Sequence, residues 1–152
     1  MFLLLSLIAL ANAVSLSSVP AGGLIVSEIM HDPDVVADYR GEWIEIYNAH
    51  SEDIDLNGLE VVSSNESGFT ISQSIMLPVG GYAVLAAKET ISLNGGNTEV
   101  DYEYPYSAFK ITAAETITLS AGSTVFDTVS YDSSYPLFTG ASLILDSSSL
   151  SS

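Results

Sequence analysis

Two acidic stretches hold most of the residues that could do chemistry. Asp32-Pro33-Asp34, with Asp38 close behind, gathers three carboxylates on one loop, and Glu42 and Glu45 follow inside the run GEWIEIYN. Hard oxygen donors clustered on a loop suit Ca²⁺, which takes about six to eight oxygens. The spacing is not that of an EF-hand, and Pro33 stiffens the loop, so a solvated acidic loop is the plainer reading of the same residues. A second cluster, SEDID at 51–55, carries a weaker version of the same signal.

Glu42 and Glu45 differ by an odd number of positions. In a strand, Glu42, Ile44, Ile46 and Asn48 share one face, and Trp43, Glu45 and Tyr47 share the other. Carboxylates pointing to opposite sides cannot converge across one bond as acid and base. Ile44 and Ile46 read as the core face, with Glu45 between two aromatics on the half-covered side. There it could accept hydrogen bonds or pair with Arg40 or a lysine. A hydrolase built on acidic residues would need carboxylates meeting in one pocket.

The remaining motifs are weak. His31 and His50 stand alone as loop residues, in neither H-x-x-x-H nor H-E-x-x-H spacing, so they do not form a zinc pattern. Cys is absent, which removes thiolate ligands and a thiol nucleophile. No G-x-S-x-G elbow and no phosphate-binding G-x-x-x-x-G-K-[ST] loop is present. Asn65-Glu66-Ser67 matches a glycosylation acceptor, which matters only in a eukaryotic secretory route.

The elements that must position these residues are short. Runs rich in Val, Ile, Thr and Tyr alternate with Gly, Asn, Pro, Ser and Asp, an all-β rhythm. Strands are expected at 24–30, 42–48, 59–63, 68–71, 82–87, 116–120, 124–131 and 142–145. Turn signals separate them, among them Asn57-Gly58 and Asn94-Gly95-Gly96. AAKETIS at 86–92 is the one helical candidate, stopped by the glycine pair. This pattern favours a β-sandwich over a barrel.

The 152 residues suffice for one domain with a real core. With 19 acidic against 3 basic residues the formal charge is −16, which repels nucleic acid and anionic lipid. The opening MFLLLSLIALANA is an uncharged apolar run ending in small-x-small, too short to span a bilayer. It reads as a signal peptide over 1–13 despite lacking a positive start. Residues 14–23 then read as a linker, 24–146 as the domain and 147–152 as a polar tail. No transmembrane segment is expected after cleavage.

LIVSEIMHDP, the acidic loop, GEWIEIYN, IDLNGLEV, FTIS, LPVGGYAVLA, ETITLSAGSTVFDTVSYD and GASLILDSSS resemble, in that order, the lamin tail domain in its secreted bacterial form. The similarity covers about Leu24 to Ser149. It implies an all-β, immunoglobulin-like β-sandwich. It also makes fingerprint positions of Glu28, Asp32, Pro33, Glu42, Trp43 and Glu45, and further on of Asn48, Leu56, Gly58, Gly81 and Asp127. Leu59 stands where the family usually has Trp, so a similar but smaller core is expected there. The family pattern normally runs on to a final strand, which suggests a fragment of a longer protein.

The resemblance brings no catalytic residue, cofactor or metal ligand. The expected function is a non-catalytic, extracytoplasmic interaction or structural module with a protein or cell-surface partner. One alternative is a calcium-dependent adhesive module using Asp32, Asp34 and Asp38. Another is an accessory domain of a secreted nuclease or phosphatase.

Overall fold

A computed structural model describes residues 13–65 and 68–146. The expected leader up to residue 12, the polar tail at 147–152, and Glu66 and Ser67 of the glycosylation triplet lie outside the described residues.

The chain order is β1 (Val14–Ser15), β2 (Leu24–Met30), a one-turn helix α1 (Asp38–Gly41), β3 (Trp43–Asn48), β4 (Ile54–Asp55), β5 (Glu60–Ser63) and β6 (Phe69–Thr70). It continues with β7 (Met76–Leu77), β8 (Tyr82–Ala86), β9 (Val100–Glu103), β10 (Glu115–Ala121), β11 (Thr124–Tyr131) and β12 (Leu143–Ile144). Among the described residues one sheet has the order β12-β2-β3-β8-β9, a second β11-β10-β5-β6, and a small third β1-β4-β7. Leu24, Ile44, Ile46 and Leu85 from the first and Val61, Ile117 and Leu119 from the second belong to one buried cluster. The architecture is the expected immunoglobulin-like β-sandwich.

β3 carries the clearest sequence signal, and its alternation holds residue by residue. Ile44, Ile46 and Asn48 are fully buried, Glu42 just before the strand is 1% exposed, and Trp43, Glu45 and Tyr47 are half-buried. Leu59 fills its core position with no exposure.

β2 breaks the simple period. Its register against β3 shifts between Val26 and Glu28, leaving Ser27 as the extra residue of a bulge. Leu24 and Val26 lie in the core, and after the bulge it is Ile29 that does so. The inserted residue thus reconciles apolar positions of opposite parity in one strand.

Three expectations need correction. Residues 14–23 are not a linker: β1 pairs in parallel with β4, and Leu16 and Val19 are core residues. Their burial outweighs the Ser-, Pro- and Gly-rich context. Residues 86–92 are not a helix. Ala86 pairs with Trp43 and Glu103, the Ala87 amide donates to the Glu42 carbonyl, and Lys88 forms an ion pair with Glu103. What remains is too short to nucleate a helix and closes instead as turns. The segment VDYE, outside the expected strands, forms β9, parallel to β8.

Gly58 and Gly68 illustrate positions where geometry requires glycine. Gly58 sits at φ +91° in the expected Asn57-Gly58 turn, and Gly68 at φ +99° passes so close to β5 that a Cβ would lie 2.3 Å from the Val61 carbonyl oxygen.

Candidate functional site

Three strands supply the floor of a groove of about 580 Å³. Pairing sets Met30 beside Trp43, and Glu28 beside Glu45, which in turn faces Val84. These five side chains form the outward surface of the β2-β3-β8 ribbon, opposite the core face of β3. Trp43 is the only tryptophan in the chain.

Loops make the two walls. On one side, residues 33–36 contribute Pro33, Asp34, Val35 and Val36. Asp32 holds this loop in place: its carboxylate accepts the Thr139 hydroxyl at 2.6 Å, and its carbonyl accepts the Gly140 amide at 2.7 Å. The loop folds down over Gly41, where a Cβ would lie 2.6 Å from Val36 and 2.7 Å from Pro33. On the other side stand Asn94, Gly95, Asn97 and Glu99. Asn94 organises that wall by donating to the Lys88 and Asn97 carbonyls at 3.2 and 2.9 Å and accepting the Gly96 amide at 3.0 Å.

The groove is electrostatically one-sided. Glu28, Asp34, Glu45 and Glu99 line it, and no Lys or Arg does. Glu28 and Glu45 are direct cross-strand neighbours, an arrangement that is destabilising for like charges. Burial pushes the Glu45 carboxyl above the usual range; the Ser27 hydroxyl, 2.6 Å away, opposes this, and Glu28 and Glu99 add to it. Of the two roles expected for Glu45, accepting hydrogen bonds or pairing with Arg40 or a lysine, the structure shows the first. Its partner is the bulge residue Ser27. The groove went unrecognised in the sequence because its walls lie far apart along the chain.

Glu42 points the other way, into the core. Its Oε2 accepts the Ile111 amide at 2.9 Å, its Oε1 lies 3.5 Å from the Tyr106 hydroxyl, and its carbonyl accepts the Tyr104 hydroxyl at 3.2 Å. Burial pushes its pKa up to about 7, opposed by the Ile111 hydrogen bond and reinforced by Asp38. Glu115, on the other sheet, shows the contrast. Burial pushes it up too, but donors from Ser64, Asn65, Thr116 and Ser63 hold it below the ordinary range.

Most of the other fingerprint polar residues are structural ties. Asn48 donates to the carbonyls of Glu52, Leu77 and Pro78 at 3.0, 3.0 and 3.1 Å and accepts the His50 amide at 2.9 Å. Asp127 of β11 accepts the Val26 amide at 2.8 Å, joining the two sheets where β12 does not cover β2. The Glu28 carboxylate accepts a hydrogen bond from Ser142.

The proposed calcium ligands are spread over different duties. Asp32 ties down Thr139, Asp34 stands on the groove wall, and Asp38 opens α1. Among the described residues no three His, Asp or Glu side chains are grouped to hold a metal ion. In the SEDID cluster, Asp53 accepts the Val79 amide, and Asp55 accepts the amides of Asn57 and Ile75 and the Ser74 hydroxyl. His31 is buried rather than exposed on its loop, with Nε2 lacking a hydrogen-bond partner. The Asn65 side-chain nitrogen, the atom a glycan would need, donates to Glu115 and to the Ala114 carbonyl, both at 2.9 Å.

The profile of the family described as Lamin Tail Domain matches residues 17–133. A search of curated proteins gave no match to this chain. Among the described residues no helix is long and apolar enough to cross a membrane.

Proposed function

Because this chain belongs to the lamin tail domain family, we propose that it is a non-catalytic interaction module that works outside the cytoplasm and holds a protein or cell-surface partner. The observation that supports this best is the division of labour between Glu42, just before β3, and Glu45 within it. Glu42 faces inward and fixes the chain at Ile111, while Glu45 faces outward into an open groove with an aromatic and aliphatic floor. A surface that combines apolar contact with a few fixed polar groups suits binding. The strongly negative charge directs that binding away from nucleic acid.

The purified protein should not turn over chromogenic phosphomonoesters, phosphodiesters or glycosides. Turnover abolished by Glu45→Gln would overturn this reading. One observation favours such a hydrolase as the second reading: Glu28 and Glu45 meet across adjacent strands, with Glu45 held above the usual carboxyl range. The same assay decides between the two.

A further inference from the structure

We propose that the groove over β2, β3 and β8 takes a basic, extended peptide segment of a partner protein, with a Lys or Arg side chain laid over Trp43 between Asp34 and Glu99. This inference rests on the interaction-module reading and supplies the chemistry of its partner.

Three observations converge on that occupant. First, Glu28 and Glu45 are directly opposite one another, with Glu99 close enough to act on Glu45, and no cation lines the groove. Like charges held together without a counter-ion cost stability in the free protein, and a cationic ligand relieves that cost. Second, the floor pairs this charge with a half-buried indole, and a cation over an indole face gains further attraction in a partly desolvated site. Third, Met30, Val35, Val36 and Val84 make much of the lining apolar. A bare metal ion would leave that surface uncovered, whereas Lys and Arg lay aliphatic stems along it while the head reaches a carboxylate. The volume of about 580 Å³ holds a few side chains rather than a folded domain.

The walls suit the same task. Each is fixed by internal hydrogen bonds, at Asp32 and at Asn94, so the groove is formed before a ligand arrives. Asp34 and Glu99 are both exposed and stand on opposite walls, where neutralising them leaves the core untouched.

The test uses end-blocked tetra-arginine as the probe and Trp43 fluorescence as the readout. A saturable change in Trp43 emission is expected. It should weaken at least tenfold in Asp34→Asn/Glu99→Gln and stay unchanged in Glu52→Gln/Glu60→Gln, which removes equal charge away from the groove. The groove variant should melt no lower than the wild type. The proposal is overturned if Trp43 does not respond or if both double variants lose binding equally, which would mean diffuse attraction to an acidic surface. An equal response to spermine or CaCl2 overturns it as well, by removing the peptide from the assignment. Absence of peptide binding together with absence of turnover sinks this proposal alone. Turnover lost in Glu45→Gln sinks the interaction-module reading itself.

Discussion

The carboxylate of Glu42 accepts the amide of Ile111 at 2.9 Å, tying the start of β3 to the segment before β10. Both side-chain oxygens sit in a nearly closed site, and the nearby Lys110 charge lowers the pKa less than burial raises it. Burial favours the protonated carboxyl more strongly than the Ile111 and Tyr106 hydrogen bonds favour the charged form, which is why its pKa lies near 7 rather than 4.5.

That shift makes stability depend on pH. The folded state holds the Glu42 proton more tightly than the unfolded chain does. Its contribution is therefore greatest below pH 4.5 and is lost as pH rises through about 7. The full effect is up to about 3 kcal/mol. Glu42→Gln keeps an oxygen for Ile111 and removes the titration. Urea unfolding of both proteins from pH 4 to pH 8 should show the wild type losing stability relative to Glu42→Gln across that window. A constant difference would show that folding does not shift the Glu42 pKa.

Ile44 and Ile46 have no exposed surface and lie at the centre of the sandwich. Ile46→Ala removes burial and leaves a cavity, with an expected cost of about 2–5 kcal/mol, and Ile44→Ala should cost a similar amount. Thermal or urea melts of the two variants measure it. A stable Ile46→Ala protein would contradict the face assignment of β3.

β3 was legible because one face alternates strictly into the core while the other carries Trp43, Glu45 and Tyr47. β2 was legible as an element but not in its facing, since the bulge at Ser27 resets parity and leaves no mark in composition. Leu16 and Val19 looked like scattered apolar residues in a polar segment, because their burial depends on the whole sandwich closing over them. β9 is hard to read because its residues are partly buried or exposed and it pairs in parallel with β8 rather than closing a hairpin. The groove was the least legible part. Pro33, Trp43, Glu99 and Gly140 have no common spacing, and only strand pairing together with the loop hydrogen bonds at Asp32 and Asn94 brings them together.

Asp127 closes an otherwise open stretch of β2 by accepting the Val26 amide at 2.8 Å. Val26 is 2% exposed, so Asp127→Ala strands a buried donor at an expected cost of about 1–3 kcal/mol. Asp127→Asn retains an acceptor oxygen and should cost less. Urea titration of the two variants checks the order. Equal losses would show that charge rather than the hydrogen bond holds the two sheets together.

We propose that the apolar leader is removed after Ala13 on export. β1 begins at Val14, the residue that this cleavage would make the N-terminus, and its amide reaches the Asp53 carbonyl at 2.8 Å. N-terminal sequencing of the exported protein should therefore begin at Val14. A retained MFLLL sequence on a membrane-bound product would mean an anchor instead.

Calcium offers the last discriminating measurement. Asp32 already accepts Thr139, Asp34 stands on the groove wall, and no three carboxylates are grouped among the described residues, so a chelating set would require this loop to rearrange. Ligand bound only to the native state stabilises it by about 2.7 kcal/mol at one hundred times its dissociation constant. We expect millimolar Ca²⁺ to raise the melting temperature no more than Mg²⁺ does, through general screening of the acidic surface. Asp34→Ala should then lie within about 0.5 kcal/mol of the wild type in either salt, as is usual for an exposed loop residue. A rise specific to Ca²⁺ and lost in Asp34→Ala would instead support the adhesive module built on Asp32, Asp34 and Asp38.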